Sequence, residues 1–292
     1  MEQNTITLLS NTPQMGFWQY LNPILFIRNL WFHRQLLSRF IRWEVEEKYR
    51  GSVLGLLWAF IVPLLRLAVY TIVFSILLRG RGLVWGLDSD IDAGKMIFAG
   101  VVMFSVFAES ISQAPRLMWI NRNYVKNVVF PLDILPLSIT GSAVLHSFIG
   151  LIILLLVEFV TRGKLLSTIV YLPLVYAPII PLTAGITWLL AALGVFNRDI
   201  NNLMQALIQL IFFLTAIVYP LERLVAVIPS QFEWLLRLNL LSTIVNDIRR
   251  VMFKGQSPDW YWFGITLCGS LLVMLIGYAV FQSLKRNFAD LV

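Results

Sequence analysis

The chain has 292 residues, of which 58% are hydrophobic and 13% are charged, and its mean hydropathy is +0.77. The charged fraction is about half that of a typical soluble domain, so the composition excludes an ordinary soluble core and predicts one polytopic membrane domain. A formal charge of +7 does not indicate nucleic-acid binding, because the basic residues are scattered between apolar spans. Anionic lipid headgroups and membrane orientation account for them.

The N-terminal part of the chain is predicted to be a polar tail followed by an amphipathic helix. Residues 1–20 indicate a flexible cytoplasmic tail, without the apolar segment and cleavage site of a removable signal peptide. In residues 21–52, apolar and aromatic residues mix with arginines, a pattern typical of a helix lying at a membrane surface. A helix packed on a partner protein is the alternative.

The remainder, residues 53–292, is predicted to be a transmembrane domain. Its first apolar stretch carries a single charge, Arg66, and is longer than the ~20 apolar residues that cross a hydrocarbon layer. Apolar windows predict an all-α membrane protein with six transmembrane helices. The predicted crossings are about 53–78, 96–113, 134–160, 168–195, 203–219 and 260–282.

Two further features concern the topology. Residues 220–258 are semi-apolar, and they fit either short re-entrant helices or an amphipathic pair that lies on the surface. Six crossings put both termini on one side of the membrane. Because basic residues crowd the approach to the first crossing, we predict that both termini are cytoplasmic.

The sequence lacks the patterns of common catalytic and metal sites. It has one cysteine, Cys268, and two histidines, His33 and His146. Neither histidine has an acidic partner at a spacing that suggests a catalytic or metal site. No phosphate-binding loop ends in Gly-Lys-Ser/Thr, so we expect no cofactor on this chain. Uphill transport would then draw its energy from an ion gradient or from a separate ATPase.

Four ionisable residues fall inside the predicted crossings: Arg66, Glu109, His146 and Glu158. Glu109 and Glu158 lie near span ends, where we expect their carboxylates to reach water. Arg66 lies near the middle of its span and must face protein or a wet cavity. It either pairs with a carboxylate or backbone carbonyl, or it contacts an anionic substrate.

The loop of residues 115–136 and the aromatic residues of the first crossing are the other candidates for function. The loop mixes basic and apolar residues, which favours a short amphipathic helix that docks a cytosolic subunit. A basic loop that only fixes topology is the alternative. Aromatic rings in a crossing can stack on sugar faces along a conduit, although helix packing or lipid contact is the usual role of any single ring. The conduit candidates are Trp58, Phe60, Arg66, Tyr70 and Phe74.

The junction EKYRGSVLGLLWAF at residues 47–60 resembles the permease subunit of bacterial polysaccharide ABC exporters, which transport O-antigen, teichoic acid and capsule. The resemblance continues in NRNYVKNVVFP at 121–131, FNRDI at 196–200 and IVYP at 217–220, and covers roughly residues 38–292. It departs at Arg66, where an apolar residue is more common, and at Asn239-Leu240, where Asn-Pro is common. The first departure leaves open whether a charge lies in or near the conduit. The second leaves open the geometry of the re-entrant segment.

The resemblance implies a homodimer, each subunit paired with a cytosolic ABC ATPase that binds ATP and Mg²⁺. It implies a coupling helix at about 116–130, a helix along the inner leaflet before Gly51, and re-entrant helices within 220–258. The translocation path would follow the dimer interface and be lined partly by the first and fifth crossings. The residues expected to couple to the ATPase are Arg116, Trp119, Asn121, Arg122, Asn123, Tyr124 and Lys126.

The leading hypothesis is therefore a permease that exports a lipid-linked, O-antigen-like polysaccharide across the bacterial inner membrane. Arg39, Arg42 and Arg50 are expected to meet the diphosphate of the lipid carrier at the inner interface. The alternatives are an ion-gradient-driven carrier of lipids or small molecules, which would depend on Glu109 and Glu158, and a membrane-embedded transferase, for which no catalytic residue is found. The sequence leaves open which glycan is carried, whether it is capped, and the type of cell envelope.

Overall fold

The structure, a computed structural model, describes residues 28, 30–77, 90–127, 130–221 and 238–292. This described part is helical and contains no strand, as expected where backbone groups must be satisfied without water. Among these residues, five helical stretches are long and apolar enough to cross a membrane, which confirms the all-helical membrane fold. They are Gly55–Val73, Asp92–Ile120, Ile134–Arg162, Ser167–Phe196 and Trp260–Leu291.

Twelve helices are labelled here in chain order among the described residues. The first six are α1 (Arg34–Tyr49), α2 (Trp58–Leu77), α3 (Asp90–Gln113), α4 (Leu117–Ile120), α5 (Arg122–Asn127) and α6 (Ile134–Arg162). The others are α7 (Leu172–Tyr176), α8 (Ile179–Phe196), α9 (Asp199–Leu214), α10 (Leu240–Arg249), α11 (Trp260–Leu284) and α12 (Phe288–Leu291).

Several helix boundaries differ from the predicted spans. Helix α3 begins at Asp90, so Lys95 lies inside the helix rather than in the preceding loop. Helix α9 has 16 residues and ends at Leu214, before the predicted end at residue 219; it is shorter than the ~20 residues that cross a hydrocarbon layer. The fourth predicted span divides at its prolines. Pro173 is the second residue of α7 and Pro178 is the N-cap of α8, positions where the missing N–H costs no helical hydrogen bond.

Helices α3 and α8 form the centre of the bundle, and α2 lies at its edge. The most apolar window is 83% buried in the stretch that contains α3 and 72% buried in the stretch that contains α8, against 11% for the stretch that contains α2. Helices α8 and α11 approach most closely at two glycines: a Cβ on Gly277 would overlap the carbonyl oxygen of Gly185. Small residues allow such close helix contacts in membranes.

The predicted segment 220–258 is described from residue 238 onward; residues 222–237 lie outside the described part. Asn239 caps α10, since its Oδ1 accepts a hydrogen bond from the Ser242 N–H at 3.3 Å, and its Nδ2 donates to the Leu214 carbonyl at 3.2 Å. Eight of the ten residues of α10 are buried. The chain then makes a π-helical turn and leaves it at Gly255, whose φ of 64° favours glycine.

Candidate functional site

The predicted coupling segment lies at the end of the bundle where α3 ends and α6 begins, which we call the α1 end because α1 packs there. Five of its seven predicted coupling residues are exposed: Arg116, Arg122, Asn123, Tyr124 and Lys126. Asn121 is buried, and its side-chain amide donates to the Leu117 carbonyl at 3.0 Å, so it holds the turn between α4 and α5. The sequence analysis missed Ile120, which is 70% exposed.

Trp119, the remaining predicted coupling residue, joins α4 to the end of α8. Its indole N–H donates to the Gly194 carbonyl at 3.1 Å, and the Arg198 guanidinium lies 4.0 Å from its ring centre. These residues line an open groove of about 480 Å³. Arg198 was not predicted as a site residue, although it belongs to the FNRDI motif. The structure therefore extends the predicted coupling surface to the junction of α8 and α9.

An aromatic cluster connects the coupling segment to α1. The Phe40 ring lies 5.8 Å from Tyr124 and 5.4 Å from Phe130, and the Tyr124 and Phe130 rings lie 4.9 Å apart. Each such ring pair is worth about 0.5–1.5 kcal/mol beyond its buried area. The amphipathic helix and the coupling segment, two separate predictions from the sequence, are thus in direct contact.

An ion-paired triad holds α1 against α3 and α6. The Lys48 Nζ donates to Glu109 Oε1 at 2.7 Å, and His146 Nδ1 lies 2.9 Å from the same oxygen. The Lys48 Nζ also lies 3.1 Å from His146 Nδ1, so each of the three side chains contacts the other two. The sequence spacing did not reveal this contact, because 37 residues separate His146 from Glu109. From its position near the span end, the Glu109 carboxylate was expected to reach water. In the structure it is also paired with Lys48 and His146.

Glu44 on α1 is predicted to make stability depend on pH. Burial, and then the charges of Glu47 and Glu109, raise the pKa of Glu44 from 4.5 to about 7. Because the folded-state pKa is raised, this contribution to stability is fully present below pH 4.5 and is lost as the pH rises through about 7. Glu44→Gln should therefore flatten the decline of the melting temperature across that interval, measured on the purified chain in detergent.

Glu46→Gln is the matched control for this prediction, because Glu46 is exposed on the same helix. We expect it to leave the pH profile as in the wild type. A Glu44→Gln profile that declines as steeply as the wild-type profile would contradict the assignment.

Of the three arginines predicted to bind the lipid headgroup, two lie in the same groove and the third does not. Arg39 and Arg42 line an open groove of about 460 Å³ on α1, together with Arg34. Arg34 was not predicted; it lies 4.7 Å from the Trp31 ring centre and donates to the Trp31 carbonyl at 2.9 Å. Arg50 is exposed just after the helix, outside this groove. The groove thus presents three cations.

The conduit candidates on α2 point in different directions. Trp58 and Arg66 line a cavity of about 150 Å³ between α1, α2, α3 and α6. Phe60 is exposed and does not line that cavity, while Tyr70 is half-buried and packs against the core. Phe74 lies on α2, but its side chain is outside the described part of the structure. Only the first two therefore share a site.

Charged residues also form a buried network at the opposite end of the bundle. Lys95, 1% exposed, places its Nζ 2.7 Å from Asp92 Oδ1 and 2.7 Å from Glu158 Oε2. Arg162 Nε lies 2.9 Å from Glu158 Oε1. Glu158 is fully buried, so the expectation that its carboxylate reaches water was wrong. The ion pairs, which link α3 to α6, replace that water.

Arg249 ties three segments together near this network. Its Nε donates to the Met96 carbonyl at 2.9 Å, its Nη1 to the Ala216 carbonyl at 2.6 Å and its Nη2 to the Ile217 carbonyl. The arginine is 2% exposed, and it satisfies carbonyls where the chain leaves the helical path after α9. Nothing in the sequence pattern distinguished it from the adjacent Arg250. Among the described residues, no cluster of His, Cys, Asp or Glu could hold a metal ion.

Comparison with known proteins agrees with this architecture. The chain is 24% identical to the O-antigen export system permease protein RfbA of Myxococcus xanthus, over 90% of this chain and 98% of that protein. It is 26% identical to the protein of the same name from Klebsiella pneumoniae, over 90% and 97%. Identity to the polysialic acid transport protein KpsM of Escherichia coli is 20%, over 82% and 90%. The resemblance noted in the sequence, to permeases of polysaccharide ABC exporters, is thereby confirmed.

The family profile described as ABC-2 type transporter matches residues 35–253, from α1 to the π-helical turn after α10. That match covers most of the chain and includes the coupling segment, the Lys48–Glu109–His146 triad and the buried network. Together with the five helical stretches that could cross a membrane, it describes a multi-pass membrane protein. The chain belongs to the ABC-2 type transporter family.

Proposed function

We propose that this chain is the membrane permease of an ATP-driven exporter of a lipid-linked polysaccharide. The observation that carries the proposal is its likeness to O-antigen export permeases over 90% of its length. The chain is not itself an enzyme in this proposal. ATP and Mg²⁺ are bound by a separate ABC ATPase. Movement of that ATPase is transmitted to the membrane-spanning helices of this chain as a rigid-body displacement.

The coupling segment is the proposed ATPase contact. Exposed Ile120 and Tyr124 offer apolar surface, and Arg122 and Lys126 surround it with positive charge. The Phe40–Tyr124–Phe130 ring cluster supports a mechanical link from this contact to α1. Movement of α5 would therefore displace α1 along the inner leaflet.

We further propose that the exporter is a homodimer with six crossings in each subunit. Helix α9 would be the fifth crossing, completed by the non-helical residues 215–219, and α10 would be part of a re-entrant segment. Apolar side chains of α2 and α9 support this arrangement: Phe60, Leu65, Leu210 and Phe213 are exposed, and α9 buries none of its residues within the subunit. A second copy would cover part of these faces and enclose the conduit.

The Arg34, Arg39 and Arg42 groove supports a headgroup role for α1, since arginine binds phosphate oxygens in a bidentate manner. Both termini would then be cytoplasmic and the membrane would be the bacterial inner membrane. A gradient-driven carrier is less well supported, because Glu109 and Glu158, on which it would depend, are both ion-paired.

The function can be tested by reconstituting the chain with a candidate partner ABC ATPase and measuring ATP-driven movement of a lipid-linked glycan into vesicles. Ile120→Asp would place a carboxylate in the proposed contact, and we expect transport to fall about tenfold or more, because an unpaired charge in an interface costs several kcal/mol. The matched control is Leu165→Asp, an exposed residue beyond the other end of α6, which should transport normally. Glycan transport by the chain without any ATPase would contradict the proposal.

A further inference from the structure

The cavity between α1, α2, α3 and α6 is separate from the arginine groove on α1 and has no role in the function proposed above. It is lined by Lys48, Arg66, Glu109 and His146, together with Trp58 and small side chains such as Ser105. Its volume of about 150 Å³ is that of roughly five water molecules. One phosphate group fits this space, whereas a sugar chain does not.

Arg66 is the charge that demands an explanation. It is the single charged residue of the stretch Gly55–Val73, and no ion pair among the described residues includes it. A cation at such a position costs about 2.5–3.5 kcal/mol on insertion scales unless it faces a cavity or a partner. Arg66 does line the cavity, and its fork of N–H donors matches the oxygens of a phosphate.

The other lining groups leave the cavity positive. Lys48 uses an N–H on Glu109 and keeps donors for a ligand, with its side chain 44% exposed. Glu109 is the acid that lines the cavity, and both Lys48 and His146 Nδ1 contact its Oε1. Lys48 and Arg66 against Glu109 therefore leave one net positive charge. His146 Nε2 is a buried atom with no hydrogen-bond partner among the described residues.

We propose that this cavity binds the phosphate group of a lipid in the leaflet that α1 contacts, with Arg66 and Lys48 as its cationic ligands. The Glu109 carboxylate positions Lys48 and keeps an empty cavity from carrying two uncompensated charges. A phospholipid headgroup and the diphosphate of a polyprenyl carrier supply the same chemistry. The proposal does not require that the chain exports a glycan.

The test measures lipid binding to the purified full-length chain in detergent by native mass spectrometry. The three probes are phosphatidylglycerol, a polyprenyl diphosphate and diacylglycerol, which has no phosphate. We expect the two phosphate lipids to bind and diacylglycerol to bind at least tenfold more weakly. Arg66→Leu should weaken both phosphate lipids about tenfold, the value of one hydrogen-bonded charge pair. Competition between the two lipids identifies which source the site prefers.

Two further variants make the result decisive. Ser105→Phe fills the cavity while keeping Arg66, and it should reduce phosphate-lipid binding to a similar degree. Arg286→Leu removes an exposed arginine near the C-terminus, outside the cavity, and should bind as the wild type does. If Arg66→Leu aggregates on size-exclusion chromatography, Ser105→Phe alone decides.

Three results would overturn the proposal. They are equal binding of all three lipids, wild-type binding by Arg66→Leu, and wild-type binding by Ser105→Phe, which would put the ligand outside the cavity. None of these measurements involves the ATPase or transport. Failure of the phosphate site is therefore distinguishable from failure of the export function.

Discussion

Lys95→Met is expected to destabilise the protein by about 3–5 kcal/mol, the usual cost of removing one partner from a buried ion pair. The substitution leaves the Glu158 carboxylate, which is fully buried, with Arg162 but without Lys95 at 2.7 Å. It also removes the Lys95–Glu158 ion pair between α3 and α6, which leaves the longer Arg162–Asp92 pair, at 3.6 Å, between these helices. The measurement is the unfolding free energy of the purified chain in mixed micelles.

Two companion variants separate this effect from a general loss of charge. Lys164→Met removes an exposed lysine two residues after Arg162 and should change stability by less than about 0.5 kcal/mol. The double variant Lys95→Met with Glu158→Leu removes both buried charges and should recover part of the loss, because an apolar pair needs no compensating charge. If Lys95→Met is as stable as Lys164→Met, the network does not stabilise the fold.

Gly277→Ala is expected to cost about 3 kcal/mol, the upper part of the usual range for overpacked cores. The new Cβ would overlap the Gly185 carbonyl oxygen of α8. Neither backbone can turn aside as a flexible side chain could, so the two helices must separate. Thermal unfolding in detergent and the yield of monodisperse protein would both report this loss.

Gly264→Ala provides the control on the same helix, since no atom lies within 4 Å of the position where its Cβ would be. There the change should be neutral or stabilising by up to about 1 kcal/mol, because alanine favours the helix over glycine. Equal melting temperatures for the Gly277→Ala and Gly264→Ala variants would contradict the close approach of α8 and α11.

The sequence predicted the helical membrane fold well because hydropathy is a local property of the chain. The apolar windows near 134–160 and 260–282 correspond to α6 and α11, and the amphipathic pattern before Gly51 contains α1. Helix ends were predicted less accurately. Helix α3 begins at Asp90 and α9 ends at Leu214, since polar residues inside a helix and apolar residues outside one both mislead a hydropathy window.

The sequence predicted individual residues of the candidate site but not which of them contact each other. The coupling residues lie in one contiguous segment of the sequence, and five of the seven are exposed. Asn121 belongs to the same segment and is buried, because its side-chain amide turns back to the Leu117 carbonyl in the turn between α4 and α5. Arg198 escaped prediction because it lies 79 positions after Trp119 in the numbering, and only the packing of α8 against α4 brings the two together.

By itself, the sequence determined that the protein is embedded in a membrane, that it is helical and that it resembles a known family. All of these depend on composition and on short motifs. The count of six crossings stays a prediction, because five helical stretches among the described residues are long and apolar enough to cross. The tertiary structure alone decided what each ionisable residue does: Glu109 meets Lys48 and His146, Glu158 meets Lys95, and Arg66 faces a cavity. The physical reason is that a charge in a low-dielectric interior is governed by its nearest partners, and in this protein those partners come from helices far apart in the chain.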